Sequence, residues 1–191
     1  MKKWLFNPFM YVAGAKALAI GWLFMLLTAF IGHYSNIHFD GALDLHSGKV
    51  TPTWFYFAEQ LVDWGFATLV FYIAGRLSSR SSIRFIDVAG TMALARWVWI
   101  FAVIIDLIFI IPSTPTNGSL QDLINDIGYM FIIGAFIELF FIIWFVALMY
   151  NAFTVSCNLK GSKAVTAFIV ALVIAELLSK IILHLIAKHT F

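Results

Sequence analysis

Residues 128–150 read GYMFIIGAFIELFFIIWFVALMY and contain one charged residue, Glu138. A helix needs about 20 predominantly apolar residues to cross the hydrocarbon core of a bilayer. This stretch is long enough, and a helix that is apolar on all sides is typical of a membrane span. We therefore interpret residues 128–150 as a membrane-spanning helix.

The whole chain has the composition of a membrane protein. Of its 191 residues, 62% are hydrophobic and 12% are charged, and the mean hydropathy is +0.94. Soluble domains average about 45–50% apolar and about 25% charged residues. The few basic residues are scattered, which argues against nucleic-acid binding. The single cysteine, Cys157, cannot form an intramolecular disulfide, and we expect it to be an unreactive thiol.

Four further apolar stretches accompany the first, so the sequence predicts an all-α bundle of five transmembrane helices in one domain. The predicted spans are residues 10–31, 54–75, 85–111, 128–150 and 164–186. Although Met1-Lys2-Lys3 resembles the start of a signal peptide, no convincing cleavage site follows, and we expect an uncleaved first span. A short surface helix is predicted near Ser119.

Positive charges predict the orientation of the chain in the membrane. Seven Lys and Arg residues fall on one side of the five predicted spans, and only Lys49 and Lys188 fall on the other. The seven are Lys2, Lys3, Arg76, Arg80, Arg84, Lys160 and Lys163. We therefore expect a cytoplasmic N-terminus and a C-terminus outside.

Small residues recur every four positions at the start of the first predicted span. Ala13, Ala17 and Gly21 would lie on one face of the helix, where another helix can approach closely. The expected partners are therefore the lipid bilayer and either a membrane protein or a second copy of this chain.

Ionisable residues inside the predicted spans are the most informative feature. Each costs about 2.5–3.5 kcal/mol at a helix centre, so such residues usually face the bundle interior. Glu59 and Asp63 share a helix face at four-residue spacing, and Glu176 precedes Lys180 at the spacing of an ion pair. We expect one intramembrane charge cluster, formed by Glu59, Asp63, Arg96, Asp106, Glu138, Glu176 and Lys180.

The predicted cluster has more acids than bases. With Lys16 included, the spans hold five carboxylates and three bases, so two carboxylates lack a counter-charge. An isolated carboxylate in a low dielectric takes up a proton or recruits a cation. A divalent cation bound by Asp63, Glu138 and Glu176 is therefore one interpretation. The other is that Arg–Glu and Lys–Glu pairs simply fix the helix arrangement.

Histidines in the loop after the first span offer a second candidate metal site. His33, His38 and His46 lie in the polar segment 32–53. Histidines in loops are usually solvated, and solvated side chains are what we expect for these three.

Two stretches resemble the Yip domain family, whose members are named for interacting with Ypt/Rab GTPases. One is Gly90-Thr91-Met92-Ala93-Leu94-Ala95-Arg96; the other runs from Trp144-Phe145-Val146-Ala147-Leu148 through Ser162-Lys163-Ala164 into Val165-Thr166-Ala167-Phe168-Ile169. The resemblance implies a small binding or organising membrane protein without catalytic activity or a cofactor. The compact chain is similar to bacterial members, which implies a bacterial inner membrane.

Two functions therefore remain open. The first is a non-enzymatic membrane protein that binds a protein or lipid partner and is held together by intramembrane ion pairs. The second is a proton- or cation-coupled carrier that uses Asp63, Glu138 and Glu176, with Glu59 at its mouth and Arg96 as counter-charge. A carrier should have an outward cavity lined by these acids, whereas a scaffold should have them tightly paired. An intramembrane metal hydrolase is disfavoured because His184 is the only histidine in a predicted span.

Overall fold

The computed structural model describes the backbone of residues 2–108 and 129–190, with side chains for residues 4–105 and 133–190, and it confirms an all-α fold. The described α-helices are α1 (Lys2–Phe6), α2 (Gly14–Ser35), α3 (Thr53–Ser78), α4 (Phe85–Ala95), α5 (Trp99–Ile108), α6 (Tyr129–Cys157) and α7 (Gly161–Thr190). Short 3-10 helices cover Pro8–Met10 and Arg96–Val98. Two short strands, β1 (Ile37–His38) and β2 (His46–Ser47), form an antiparallel hairpin.

Four helical segments in the described part are long and apolar enough to cross a membrane. They are Gly14–Ser35, Phe85–Ile105, Ile133–Cys157 and Gly161–Thr190. The second of these joins α4 and α5 through the 3-10 turn at Arg96–Val98. Helix α3 has 26 residues but is not among the four, and Glu59, Gln60 and Asp63 make it more polar than the others.

Helix boundaries differ from the predicted spans mainly at the N-terminal end and in the fourth helix. Helix α2 begins at Gly14 rather than residue 10, because Pro8–Met10 form a separate 3-10 turn and Gly14 adopts a φ of 59°. Helix α6 continues past residue 150 to Cys157. Residues 109–111, Gly128 and the predicted surface helix near Ser119 lie outside the described residues.

Helix α4 lies at the centre of the bundle, and every residue from 88 to 95 is buried. Helix α2 packs against it at very short range. A Cβ atom added at Gly21 would collide with the backbone of Ala93 and Leu94, and one at Gly90 would collide with the carbonyl oxygen of Gly14. Of the small residues predicted to form a packing face on the first span, Ala17 and Gly21 are therefore used for packing within the chain, whereas Ala13 precedes α2 and is exposed.

Helices α3 and α6 pack against α4, and α7 packs mainly against α3. The hydroxyls of Thr91 and Ser156 lie 2.6 Å apart and join α4 to α6. Phe71 of α3 packs against Phe153 of α6 and Phe168 of α7, with ring centroids 5.3 and 5.4 Å away. These contacts bring α3, α6 and α7 into one apolar core.

The segment between α2 and α3, residues 36–52, folds into the bundle and is called the outer loop below. Ile37, Phe39, Ala42 and Leu45 are buried, and the Phe39 ring lies 5.7 Å from that of Trp99. Asn36, in the left-handed conformation with φ 55°, ends α2 and turns the chain into β1. The segment was predicted to be a polar loop, but its apolar side chains cover the end of the helix bundle.

Candidate functional site

The charged residues of α3 and α7 hold the outer loop in place. On α3, the buried carboxylate of Glu59 lies 2.7 Å from Nδ1 of His38 and accepts a hydrogen bond from the backbone N–H of Phe39 at 3.1 Å. His38 is itself buried, and its ring stacks on Tyr56 with centroids 4.5 Å apart. One carboxylate thus fixes both the side chain of His38 in β1 and the backbone directly after this strand.

Helix α7 makes the matching contacts on the other side of the loop. Glu176 accepts a hydrogen bond from the backbone N–H of Leu43 at 2.8 Å, and the Ser179 hydroxyl accepts one from Ala42 at 3.1 Å. Lys180 donates to Asp44 at 2.7 Å and lies 3.3 Å from Glu176. We call Glu59, Glu176, Ser179 and Lys180 the outer clasp.

A second charged layer lies deeper in the bundle. Arg96, at the 3-10 turn between α4 and α5, places one guanidinium nitrogen 3.4 Å from a carboxylate oxygen of Asp63. Its Nε donates to Gln60 at 3.2 Å, and the guanidinium lies over the Phe145 ring at 5.9 Å. Asp63, Gln60 and Arg96 are all at least 98% buried. Their pairing neutralises two charges that would be very unfavourable alone.

Some polar atoms around this layer have no partner. Within the part of the chain that the structure describes, Oδ1 of Asp63, Nε2 of Gln60 and Nε1 of Trp99 are buried and make no hydrogen bond. Buried polar groups are normally satisfied, by protein or by an ordered water. Around the Asp63–Arg96 pair, one acceptor on Asp63 and the donors of Gln60 and Trp99 are therefore not satisfied by described protein atoms.

The outer loop contains two groups whose pKa is shifted. Burial lowers the pKa of His38, but the hydrogen bond and charge of Glu59 and the Lys49 carbonyl outweigh it, so the pKa lies above the ordinary 6.5. Burial raises the pKa of Asp44, but the hydrogen bond and charge of Lys180 hold it below the ordinary 3.8. Both shifts favour the charged forms that the contacts require.

A cavity of about 240 Å³ opens beside the outer clasp. Its polar lining includes His38, Asp40, His46, Glu59, Lys180 and His184. Asp63, Glu138 and Glu176 are not part of this lining.

Three residues at this end have the spacing of metal ligands. Asp40, Asp44 and His46 each offer an atom, and these atoms lie within 4.8 Å of one another. However, Asp44 is bound by Lys180, and His46 lies 3.6 Å from Asp40. A cation would have to displace Lys180 from Asp44, so one of the three possible ligands is already engaged.

The predicted charge cluster divides into two layers in the structure. Glu59, Glu176 and Lys180 lie at the outer clasp, whereas Asp63 and Arg96 form the buried pair. Glu138 lies on α6 and is partly buried. Asp63, Glu138 and Glu176 do not form a group whose ligand atoms approach within 4.8 Å. The side chain of Asp106 lies outside the described residues.

The predicted loop histidines also divide. His33 lies in the last turn of α2, and its Nε2 lies 3.3 Å from the Thr53 hydroxyl. His46 is exposed, as expected for a solvated loop. His38 is buried against Glu59, so the expectation that it would be solvated was wrong. Its burial follows from the apolar side chains on either side of it, Ile37 and Phe39.

Several residues of the site were not predicted from the sequence. Gln60, Ser179 and Asp44 all contact the predicted charges, but none was expected to do so. One available signal was the repeated apolar residue inside a polar loop, at positions 37, 39, 43 and 45. Another was the spacing of Ser179, three residues after Glu176 on the same helix face.

Comparison with known proteins gives no relative from which a role could be carried over. No protein-family model, curated protein or solved structure matches the chain.

Proposed function

We propose that this chain is a non-enzymatic membrane protein that binds or organises a partner in the bilayer, as its resemblance to Yip domain proteins implies. One observation supports this more than any other: the charges within the helices are engaged in holding the fold. Glu59, Glu176 and Lys180 hold the outer loop, and Asp63 pairs with Arg96. Charges used in this way stabilise an architecture rather than bind a transported ion.

The proposal includes a fifth span, formed by α3. Its 26 residues extend about 39 Å, enough to cross a bilayer. Its polar residues Glu59, Gln60 and Asp63 are buried, whereas Leu61 and Leu69 are exposed. This distribution is typical of a span whose polar face is turned toward the bundle and whose apolar face contacts lipid.

We further propose that the end of the bundle with the outer loop faces away from the cytoplasm. Five spans place the termini on opposite sides, and the seven-to-two bias in positive charge favours a cytoplasmic N-terminus.

A proton- or cation-coupled carrier is the second candidate. Two observations favour it: a cavity lies beside Glu59, and Asp63 keeps one carboxylate oxygen without a hydrogen bond in the described ranges. In this case Asp63 would exchange a proton or a cation with the cavity, and Arg96 would be its counter-charge.

One experiment separates the two candidates. Wild-type protein and the variants Asp63→Asn and Glu176→Gln are purified, and each is assayed for thermal unfolding and, in proteoliposomes, for proton and cation flux. We expect both variants to unfold at lower temperature, because each loses a contact made by a carboxylate. We expect no flux above that of empty liposomes for any of the three proteins.

The opposite result would favour the carrier. A wild-type flux that Asp63→Asn abolishes, without a fall in the unfolding temperature, would overturn the scaffold proposal. Metal analysis of the same samples, purified without chelators, adds a second readout. Stoichiometric metal in the wild type that is lost in Glu176→Gln would contradict the proposal equally.

A further inference from the structure

An apolar groove runs between α3 and α7 on the outside of the bundle. Its volume is about 710 Å³, and its walls include Val70, Ala74 and Leu77 on α3 and Ala167, Ala171 and Ile174 on α7. The alanines leave the space between the two helices unfilled. The groove thus lies on the apolar surface and is lined mostly by hydrocarbon.

One end of the groove is polar. Ser78 at the end of α3 and Ser162 and Lys163 at the start of α7 line this end. Lys163 is exposed, and no carboxylate pairs with it in the described part of the chain. The groove therefore combines apolar walls with two hydroxyls and the ammonium group of Lys163 at one end.

The surrounding surface is also positively charged. The side chain of Asn158, in the loop before α7, donates to Ser81 in the loop after α3, so the two loops adjoin. Together with Lys163, the basic residues of this region are Arg76, Arg80, Arg84 and Lys160. Among the described residues, only Arg84 of these five has a carboxylate partner, Asp87 at 3.7 Å. An anion would complement this end of the bundle.

The length of the groove matches one lipid leaflet. From Ser162 to Leu178, α7 rises about 24 Å. Half of a bilayer, including its headgroups, measures about 20–22 Å. A single phospholipid would therefore extend along the whole groove, with its headgroup at the basic end.

We propose that this groove binds one anionic phospholipid, whose phosphate contacts Lys163 and the hydroxyls of Ser78 and Ser162 and whose acyl chain lies between α3 and α7. The proposal rests on the proposed function, because it specifies the partner as a lipid. Its headgroup end, at Ser78, Ser162 and Lys163, lies at the opposite end of the bundle from the outer clasp. The lipid-binding proposal and the proposal that the charges hold the outer loop can therefore fail independently.

Native mass spectrometry of the purified protein, titrated with dioleoyl phosphatidylglycerol or dioleoyl phosphatidylcholine, tests the proposal. We expect one phosphatidylglycerol to bind more tightly than phosphatidylcholine. Lys163→Gln should weaken phosphatidylglycerol binding about fivefold, since a basic residue near an anionic headgroup contributes about that factor. Lys163→Arg should retain most of the affinity. Lys188→Gln, at the far end of the same helix, is the matched control.

Filling the groove provides the second variant. Ala167→Phe should abolish binding of the first phosphatidylglycerol, whereas Val173→Phe, on the exposed face of the same helix, should not. Equal binding of the two lipids, or unchanged binding in both Lys163→Gln and Ala167→Phe, would overturn the proposal. So would a dimer in the wild type that Ala167→Phe dissociates, since the groove would then be covered by a second copy. Proton and cation flux is not read in this experiment, so its failure is distinct from that of the scaffold proposal.

Discussion

At the scale of single residues, Asp63 and Arg96 are the most consequential pair. Both are almost completely buried, and each would be left as an unpaired charge without the other. Sequence reasoning predicted correctly that these residues face the interior, because a charge inside a span has no other favourable position. It could not predict which acid pairs with Arg96, because partner choice depends on the order of helices in the bundle.

Removal of one partner should therefore be costly. We expect Asp63→Asn to lower the free energy of unfolding by about 3 kcal/mol, because Arg96 then remains buried without its counter-charge. Asp87→Asn is the matched control, since Asp87 pairs with the exposed Arg84, and we expect a loss below about 1 kcal/mol. Denaturant titration followed by tryptophan fluorescence measures both. Equal losses of unfolding free energy in the two variants would show that Asp63 and Arg96 are not a buried ion pair.

His38, which lies outside the predicted spans, makes a pH-dependent contribution to the stability of the fold. Its pKa in the folded protein lies above 6.5, so the stability it contributes is complete below pH 6.5 and is lost as the pH rises through the folded pKa. The groups around it are Glu59, Asp40, His46 and the carbonyl of Lys49.

We therefore expect the difference in unfolding temperature between wild type and His38→Gln to be larger at about pH 6 than at about pH 9. Thermal unfolding of both proteins across this range measures the difference. His184→Gln, which changes an exposed histidine of the same cavity, is the control. If the difference in unfolding temperature grew with pH, the pKa of His38 would be lowered in the folded protein rather than raised.

At the scale of elements, the packing of α2 against α4 depends on two glycines. Gly21 lies so close to the backbone of α4 that a methyl group cannot be accommodated without moving one helix. The repeat of small residues in the sequence indicated a close helix contact. It did not indicate whether the contact was with this chain or with a second copy, because the same surface suits both.

This close approach gives a prediction with an internal control. Gly21→Ala should lower the free energy of unfolding by about 1–3 kcal/mol, the usual cost of overpacking. At Gly65 of α3, an added Cβ meets no heavy atom of the described chain within 4 Å, so Gly65→Ala should be neutral or stabilise by up to about 1 kcal/mol. The same denaturant titration compares them. A neutral Gly21→Ala would contradict the packing of α2 on α4.

Some elements could not have been predicted from hydropathy. The 3-10 turn at Arg96–Val98 lies within a continuous apolar stretch, and the turn at Pro8–Met10 lies where the first span was expected to begin. Both are local changes in backbone geometry within segments of suitable composition. Apolar length alone therefore predicts that a helix crosses the membrane, but not where it bends or begins.

At the scale of the whole molecule, the charges have different surroundings at the two ends of the bundle. At the outer end, the carboxylates of α3 and α7 accept hydrogen bonds from the backbone of the outer loop, and Lys180 pairs with Asp44 of the loop. At the other end, four of five basic residues have no carboxylate partner in the described part of the chain, and one of them, Lys163, lines the groove. The composition predicted the membrane class correctly. The folding of the outer loop depends on contacts between residues more than 130 positions apart, such as Leu43 and Glu176, which no local pattern contains.

Charges within the helices hold the outer loop through contacts to its backbone and to Asp44. Hydrogen-exchange mass spectrometry with single-amide resolution, on wild type and Glu176→Ala, tests this. The amides of Phe39, Ala42 and Leu43 should exchange far more slowly than the amide of the exposed Val50, and Glu176→Ala, which removes the acceptor of the Leu43 N–H, should speed the exchange of Leu43 most. If these three amides exchanged as fast as that of Val50 in the wild type, the outer loop would not be held by the clasp residues.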